Sequence, residues 1–472
     1  MKKSIRIIYI VLFLLICCTP FGLMLILPSP ETVGKEEAVE MPCLIEDGKI
    51  NDEIGSQFDD WFTKSIPLRP EIITVQNEFA SGIFGKESNN VITGSDGWIY
   101  SSESVDDYIG VRISDRGIHN ISETIRIMQD YTEAHGANFV FTAAPNKNQI
   151  YPEYMPLGYI KNNDNNLSRL EKYLKCDKIN YVSLKDELLK QKDNGNELYL
   201  KCDTHWNGLG ALYGYNAIMN GLGSEHESFS GLGYTVKNDW YGDISKMLYP
   251  SAPKPCSQYY FDMDYSAVRF MQPRASQGNK MLMEDLMSDK EENDVVIRSV
   301  NAKGQGSLYI SRDSFSRAML PFLISNYRSA YITRLRSFDL KDIDDKNYTD
   351  VVYEMVERKL DSITDIVPMI YAPEVKGIDG KEIRNGGNNI VKQKNEDGSL
   401  RVYGLLDSKE ISDTARIYIK INDGGKDRYF EAFPDTETEL LGLEEKSDYG
   451  FSALIEGISG DITEENISVI IK

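Results

Sequence analysis

Asp203 and His205 stand two positions apart in the run Leu198-Tyr-Leu-Lys-Cys-Asp-Thr-His-Trp-Asn207. A carboxylate beside an imidazole can hold one ring nitrogen and fix the tautomer, which leaves the other nitrogen to act as a base. Such a couple lacks only a nucleophile. Ser314 offers one in Arg312-Asp313-Ser314, between Ser307-Leu-Tyr-Ile-Ser311, which reads as a short buried strand, and Phe315 to Tyr327, which reads as an amphipathic helix. A serine at a sharp strand-to-helix turn exposes its hydroxyl at the edge of a sheet, where amides at the helix start can stabilise an oxyanion. Taken singly, each residue has a plainer reading. Asp203 then caps a turn, His205 sits on a polar surface and Ser314 is a helix N-cap.

The elements around these residues follow from periodicity. Leu198, Tyr199 and Leu200 read as a strand end, and Asn207 as the N-cap of a helix from about Gly208 to Met219, with Leu209, Leu212, Tyr213 and Ile218 at helical spacing. Upstream, Val91 to Tyr100 reads as a hairpin, Arg116 to His135 as a helix ended by Gly136, and Asn138 to Ala143 as a buried strand. A helix at Leu167 to Leu174 precedes a strand at Tyr181 to Leu184, and Ala330-Tyr-Ile-Thr333 and Val351-Val-Tyr353 supply two more strands. This alternation predicts an α/β domain with a doubly wound, mainly parallel sheet. Catalytic groups in that architecture collect at the carboxyl ends of strands. Lys147, in the loop after the Phe139 strand, lies on the same rim, and Arg312 and Asn207 flank the catalytic candidates. Arg312 and Asn207 are expected to contact substrate, and Lys147 either binds a carboxylate or sugar oxygen there or is a solvated surface lysine.

Together, Asp203-Thr-His-Trp206 and Arg312-Asp-Ser-Phe315 resemble the DHHW family, relatives of the alginate O-acetyltransferase proteins with an SGNH-hydrolase-like domain. Further matching pieces stand in the expected order: Gly94-Ser-Asp-Gly-Trp-Ile-Tyr100, Ala144-Pro-Asn-Lys147 followed by Tyr151-Pro152, Tyr241-Gly-Asp-Ile-Ser-Lys-Met247, and Asp350-Val-Val-Tyr-Glu-Met-Val-Glu-Arg358. The resemblance spans about Phe58 to Leu360. It implies Ser314 as nucleophile, His205 as base and Asp203 as the orienting acid, with the chain order Asp, His, Ser matching the permuted arrangement of the family. It also implies an acetyl group as cargo, a polysaccharide acceptor, and a membrane-bound O-acyltransferase partner that passes acetyl groups outward. Arg312 stands where the family often has glycine.

A chain of 472 residues exceeds one ordinary domain. Its formal net charge of −21 argues against a nucleic-acid partner, which needs a concentrated basic surface. Lys2, Lys3 and Arg6 precede an apolar run from about Ile7 to Leu27, long enough to cross a bilayer. Positive charge before that run predicts a cytoplasmic N-terminus, a signal anchor over 1–28 and an extracytoplasmic body. A linker over 29–55, an SGNH-hydrolase-like catalytic domain over 56–372 and a C-terminal all-β sandwich-like domain over 376–472 complete the expected organisation. The last rests on short alternating runs such as Ala415-Arg-Ile-Tyr-Ile-Lys-Ile421 and Ile467-Ser-Val-Ile-Ile471. The segment from Pro250 to Ser299, with Met281, Met283 and Met287, reads as an insertion or lid. Six cysteines without CxxC spacing allow one disulfide but specify none, and Cys202 reads as core. Four histidines, none clustered with cysteine, argue against a zinc site, and no cofactor is implied.

The function expected is therefore extracytoplasmic transfer of acetyl groups to polysaccharide hydroxyls. The same three residues serve an acetyl-esterase, and a catalytically silent glycan-binding scaffold is the reading from another class.

Overall fold

The computed structural model describes residues 3–30, 39–46, 49–84, 90–271, 296–334, 338–339, 347–384, 389–437, 442–460 and 462–472. Helix α1, Lys3–Met24, contains a 20-residue stretch, Ile5–Met24, of mean hydropathy 2.5, long and apolar enough to cross a membrane.

A seven-stranded sheet organises the body of the chain. Its strands are β1 (Asn138–Ala144), β2 (Tyr181–Val182), β3 (Val268–Met271), β4 (Val296–Asn301), β5 (Gln305–Ser311), β6 (Tyr327–Thr333) and β7 (Asp350–Val356), in the spatial order β2-β1-β7-β5-β6-β4-β3. The first five neighbours pair parallel, and β4 and β3 close one edge antiparallel. The helices that bear on the site are α2 (Asp115–Ala134), α3 (Asn166–Cys176), α4 (Leu184–Asp193), α5 (Gly208–Leu222), α6 (Asp243–Leu248) and α7 (Leu320–Asn326).

Alternation along the strands divides the core into two. Val140, Leu308, Ile310 and Val352 pack with Leu209, Leu212 and Tyr215 of α5 and Phe322 of α7. Phe139, Phe141, Tyr309, Val351 and Tyr353 face the other way, against Ile118, Ile121 and Ile125 of α2 and Leu167 of α3. Period-two side chains buried on both faces are what a parallel sheet covered by helices requires.

The expected strand at Leu198 to Leu200 is not part of this sheet. Its backbone closes on itself instead, with Leu200 N donating to His205 O (3.2 Å), Asn207 N donating to Leu198 O (2.9 Å) and a single bridge between Tyr199 and Trp206. The apolar side chains are buried all the same, by loop closure rather than strand pairing. After Ser314 the chain makes a 3₁₀ turn, Phe315–Met319, before α7. The Pro250 to Ser299 segment contributes β3, the start of β4 and a strand at Cys256–Phe261 that pairs with Tyr234–Trp240. Met281, Met283 and Met287 lie outside the described residues.

Beyond the α/β body, antiparallel strands form a five-stranded and a four-stranded sheet. Their inward residues, among them Val402, Ile419, Phe451, Ala453 and Val469, make one apolar cluster, the interior of a sandwich. This module is fastened to α2. Arg126 pairs with Glu431 (2.6 Å), Arg416 pairs with Glu123 (2.9 Å) and Asp177 (3.0 Å), and Phe433 enters the α2 side of the α/β core.

Candidate active site

β5 carries Ser314 three residues past its end, and the register of neighbouring strands brings other polar groups level with it. Ser311 pairs with Tyr353 on β7, and Val356 on β7 pairs with Ala144 on β1, so the segments Arg312–Ser314, Glu357–Arg358 and Asn146–Lys147 leave three adjacent parallel strands at one rim. The turn that presents Ser314 is held from below. Asp313 accepts from Phe315 N (2.8 Å) and Val356 N (2.7 Å), while the buried Glu354 accepts from Asp313 N (3.0 Å) and Ser316 Oγ (2.7 Å). Burial and the nearby Asp313 push the Glu354 carboxyl well above the usual carboxylate range.

His205 arrives on the loop that α5 anchors. Its Nε2 lies 2.8 Å from Ser314 Oγ, and its Nδ1 lies 2.6 Å from Asp203 Oδ1. Asp203 Oδ1 also accepts from His205 N (3.0 Å), and Oδ2 accepts from Trp240 Nε1 (2.9 Å) and Asp243 N (3.2 Å). The Asp203 side chain is 2% exposed. Burial resists its ionisation, but the adjacent imidazole and these hydrogen bonds prevail and hold the carboxyl well below the usual carboxylate range. Burial likewise opposes a charged His205, yet the Asp203 carboxylate outweighs it and raises the imidazole above its ordinary value; Asp243 adds to this and Arg358 works against it. Phe315 packs on the imidazole with ring centroids 4.7 Å apart, closing one side of it.

The loop itself is tied at three places. Asp243, the first residue of α6, accepts from Thr204 N (2.9 Å) and Thr204 Oγ1 (2.6 Å). Gly242 passes so close that a Cβ there would stand 2.2 Å from Cys202 O and 2.6 Å from Asp203 Cβ, so a larger residue would displace the acid. Cys202, buried as expected in a small apolar cluster with Leu200 and Cys256, is disulfide-bonded to Cys256 across 54 residues. Asp203, His205 and Asp243 also have the donor types of a metal site, with donor atoms within 4.8 Å of one another. The Asp203–His205 contact is a hydrogen bond at 2.6 Å, shorter than the roughly 3 Å between two ligands of one tetrahedral ion.

The three residues expected to meet substrate stand differently from that reading. Lys147 is 4% exposed, and its ammonium donates to Leu200 O (2.9 Å), Lys201 O (3.1 Å) and Asp203 O (2.6 Å). A loop that turns three carbonyls inward takes all its donors. Burial pushes this ammonium down to about 7 although Asp203 and Asp243 pull the other way. Asn207 is fully buried as the N-cap of α5, accepting from Leu209 N and Gly210 N (3.0 Å each) and donating to Glu197 O (2.7 Å). Arg312 is also buried, with a guanidinium bond to Asp313 O (2.8 Å). These are supports of the site rather than its lining.

Sequence reasoning missed Asp243, Trp240 and Arg358 as members of the site. The first and last stood in the quoted motifs, but spacing alone gives no sign that they converge on Asp203 and Phe315. Arg358 donates to Asn146 Oδ1 (3.2 Å), pairs with Glu103 (3.3 Å) and places its Cζ 5.6 Å from the Phe315 ring centre.

A carboxylate, an imidazole and a hydroxyl in this sequence of contacts can activate the hydroxyl as a nucleophile. Residues 91–297 match the family described as "SGNH hydrolase-like domain, acetyltransferase AlgX", a match that ends before Ser314. A "Probable alginate O-acetylase AlgJ" of Pseudomonas fluorescens is 27% identical over 132 residues, which are 27% of this chain and 32% of that protein. The matched stretch is thus about a third of the length of that curated relative. Similar solved structures include a DHHW family protein from Eubacterium siraeum (18% identity, 59% of this chain and 94% of that one, TM-score 0.45). Another is Bacillus cereus PatB1 (19%, 57% and 96%, 0.47), and a third is the O-acetyltransferase domain of Pseudomonas putida AlgJ (15%, 58% and 92%, 0.41). Over residues 91–297 the chain is thus similar to the SGNH hydrolase-like domain of the alginate O-acetyltransferase proteins.

Proposed function

We propose that this protein is an O-acetyltransferase that moves acetyl groups onto hydroxyls of a cell-surface or secreted polysaccharide. The observation that carries the proposal is the chain of contacts from Asp203 through His205 to Ser314, at 2.6 and 2.8 Å, in a chain whose residues 91–297 match an acetyltransferase family. Ser314 Oγ attacks the acetyl carbonyl while His205 Nε2 takes its proton. Asp203 keeps Nδ1 protonated and stabilises the imidazolium. His205 then returns the proton to the leaving group, and a sugar hydroxyl, deprotonated by the same nitrogen, resolves the acetyl-enzyme.

Helix α1 suits a signal anchor with the body of the chain outside the membrane. A membrane-bound O-acyltransferase that delivers acetyl groups across the membrane is the partner this arrangement calls for. The C-terminal sandwich is assigned to glycan or partner contact.

Full-length protein exposed to 4-nitrophenyl acetate should gain one acetyl group, mapped to Ser314 after digestion. Ser314→Ala and His205→Ala should lower turnover by at least ~10³-fold. Release accelerated by an oligosaccharide acceptor, with the acetyl found on the sugar, supports transfer. Release in water alone, unaffected by any acceptor, makes the protein an esterase. Folded protein that never labels would leave the silent scaffold.

A further inference from the structure

We infer that Arg358 is a further catalytic residue: its guanidinium receives the negative charge that develops on the acetyl oxygen during attack. This rests on the serine mechanism proposed above.

The argument begins with strand register. Ser314 lies three residues beyond Ser311, and Arg358 lies five beyond Tyr353, the partner of Ser311 on the adjacent parallel strand. Asn146 and Arg358 each stand two residues beyond the paired Ala144 and Val356, and they meet at 3.2 Å. The backbone therefore delivers Arg358 to the rim of the nucleophile turn. Two side chains then fix it. Asn146 Oδ1 accepts a hydrogen bond from Nη1, and Nε donates to Glu103 Oε2 at 3.3 Å, while Nη2 makes no hydrogen bond among the described residues. Phe315 is the ring the two groups share: His205 packs on it at 4.7 Å between centroids and Arg358 Cζ lies 5.6 Å from its centre.

His205 must become positive when it takes the serine proton, and Arg358 opposes that charge, whereas Asp203 and Asp243 favour it. A fixed cation near an imidazolium is useful where an anion forms between them or beside them. Attack creates such an anion: the Oγ–C bond forms, the serine proton passes to Nε2, and the carbonyl π pair moves onto the acetyl oxygen. Collapse returns that pair to the carbon, breaks the bond to the leaving oxygen and hands it the proton. Charge on a rigid donor near this oxygen lowers both barriers without reorganisation. Lys147 cannot serve, since its three donors hold loop carbonyls, whereas the Arg358 side chain keeps 12% of its surface exposed at the rim.

The test uses full-length protein, 4-nitrophenyl acetate and a small alkylboronic acid, which forms a tetrahedral anionic adduct on an activated serine. Arg358→Met should lower kcat by ~10²–10³-fold, the loss typical of one oxyanion donor, with KM changed little. Its boronate inhibition constant should weaken by a similar factor. Arg358→Lys, which keeps the charge, should recover about a tenth or more of wild-type kcat. Arg358→Met within threefold of wild type overturns the inference, as does a folded variant that loses turnover yet binds boronate as well as wild type. If Arg358→Met does not fold, a folded Arg358→Lys that loses ~10²-fold or more in kcat with unchanged boronate binding overturns it in the same way. Failure of wild-type protein to label at Ser314 would instead remove the underlying mechanism.

Discussion

Lys147 meets Asp203 through the backbone: the ammonium donates at 2.6 Å to the Asp203 carbonyl oxygen, while the carboxylate is turned to His205. A cation paired with the carboxylate would compete with the imidazole for it. Placed behind the loop, Lys147 fixes the acid's position and leaves both carboxylate oxygens to the imidazole, Trp240 and Asp243. Lys147→Met should cost on the order of 3 kcal/mol or more, because carbonyls turned into a buried site lose their donor. Denaturant unfolding measures the loss. In protein that remains folded, kcat should fall with KM nearly unchanged. A variant as stable and active as wild type would remove Lys147 from this role.

The pH–rate profile should report His205. Its folded pKa lies above the ordinary value, so the neutral base is depleted at a higher pH than for a free histidine, and the acidic limb of kcat/KM should lie correspondingly high. Asp203→Asn removes the charge that raises it. The limb should then move to lower pH while the plateau drops by roughly 10³–10⁴-fold. The stabilisation that His205 draws from Asp203 is complete below the unfolded imidazole pKa and is lost as pH rises through the folded one. An acidic limb that does not move in Asp203→Asn would mean that another group sets it.

Cys202 adjoins the catalytic acid, and Cys256 begins the strand that pairs with Tyr234–Trp240, whose Trp240 donates to Asp203. Opening the disulfide frees both sides of the acid at once. Cys202→Ser with Cys256→Ser should cost about 2–4 kcal/mol and lower kcat more than KM rises. Turnover of wild-type protein after complete reduction, verified by intact mass, should fall in parallel. Full activity in the reduced state would show that the loop holds without the bond.

Glu431 and Arg126 join the sandwich to α2 at 2.6 Å, with side chains 7% and 10% exposed. Glu431→Ala should cost toward the lower end of the about 3–5 kcal/mol typical when a buried pair loses one partner, since Arg126 keeps Glu123 and Asp130. Truncation after Ala372 removes Glu431, Arg416 and Phe433 together and should leave α2 unstable. His119 lies within this network. Burial, reinforced by Arg116, Arg416 and Arg126, pushes its imidazole down to about 4. The unfolded chain therefore binds a proton that the folded chain refuses, and stability should fall as pH drops from the ordinary histidine value towards 4. His119→Gln should flatten that part of the stability curve; an unchanged slope would rule His119 out as its source.

The sequence was most legible where one element determined a residue's place. Asn207 caps α5 as its type and position suggest, and Ser314 follows a short continuous apolar run that is buried as a strand. Joining Ser314 to His205 across 109 residues required the resemblance, because neither run contains a sign of the other. Leu198 to Leu200 were misread since a closed loop buries apolar side chains as fully as a strand does. Lys147, Arg312 and Asn207 were expected to face substrate because polar residues near a rim usually do. The direction in which the loop carbonyls and amides point decides otherwise, and that direction is set by tertiary closure.

Phe433 fills the helical side of the α/β core, and Glu431 and Arg416 complete charges on α2 and its neighbour. Residues 373–472 are therefore no portable cassette. A recombination that joined this catalytic half to an unrelated sandwich would inherit a hole at Phe433 and Glu123 deprived of the Arg416 guanidinium. A change in either half that alters these partners should be felt in the other.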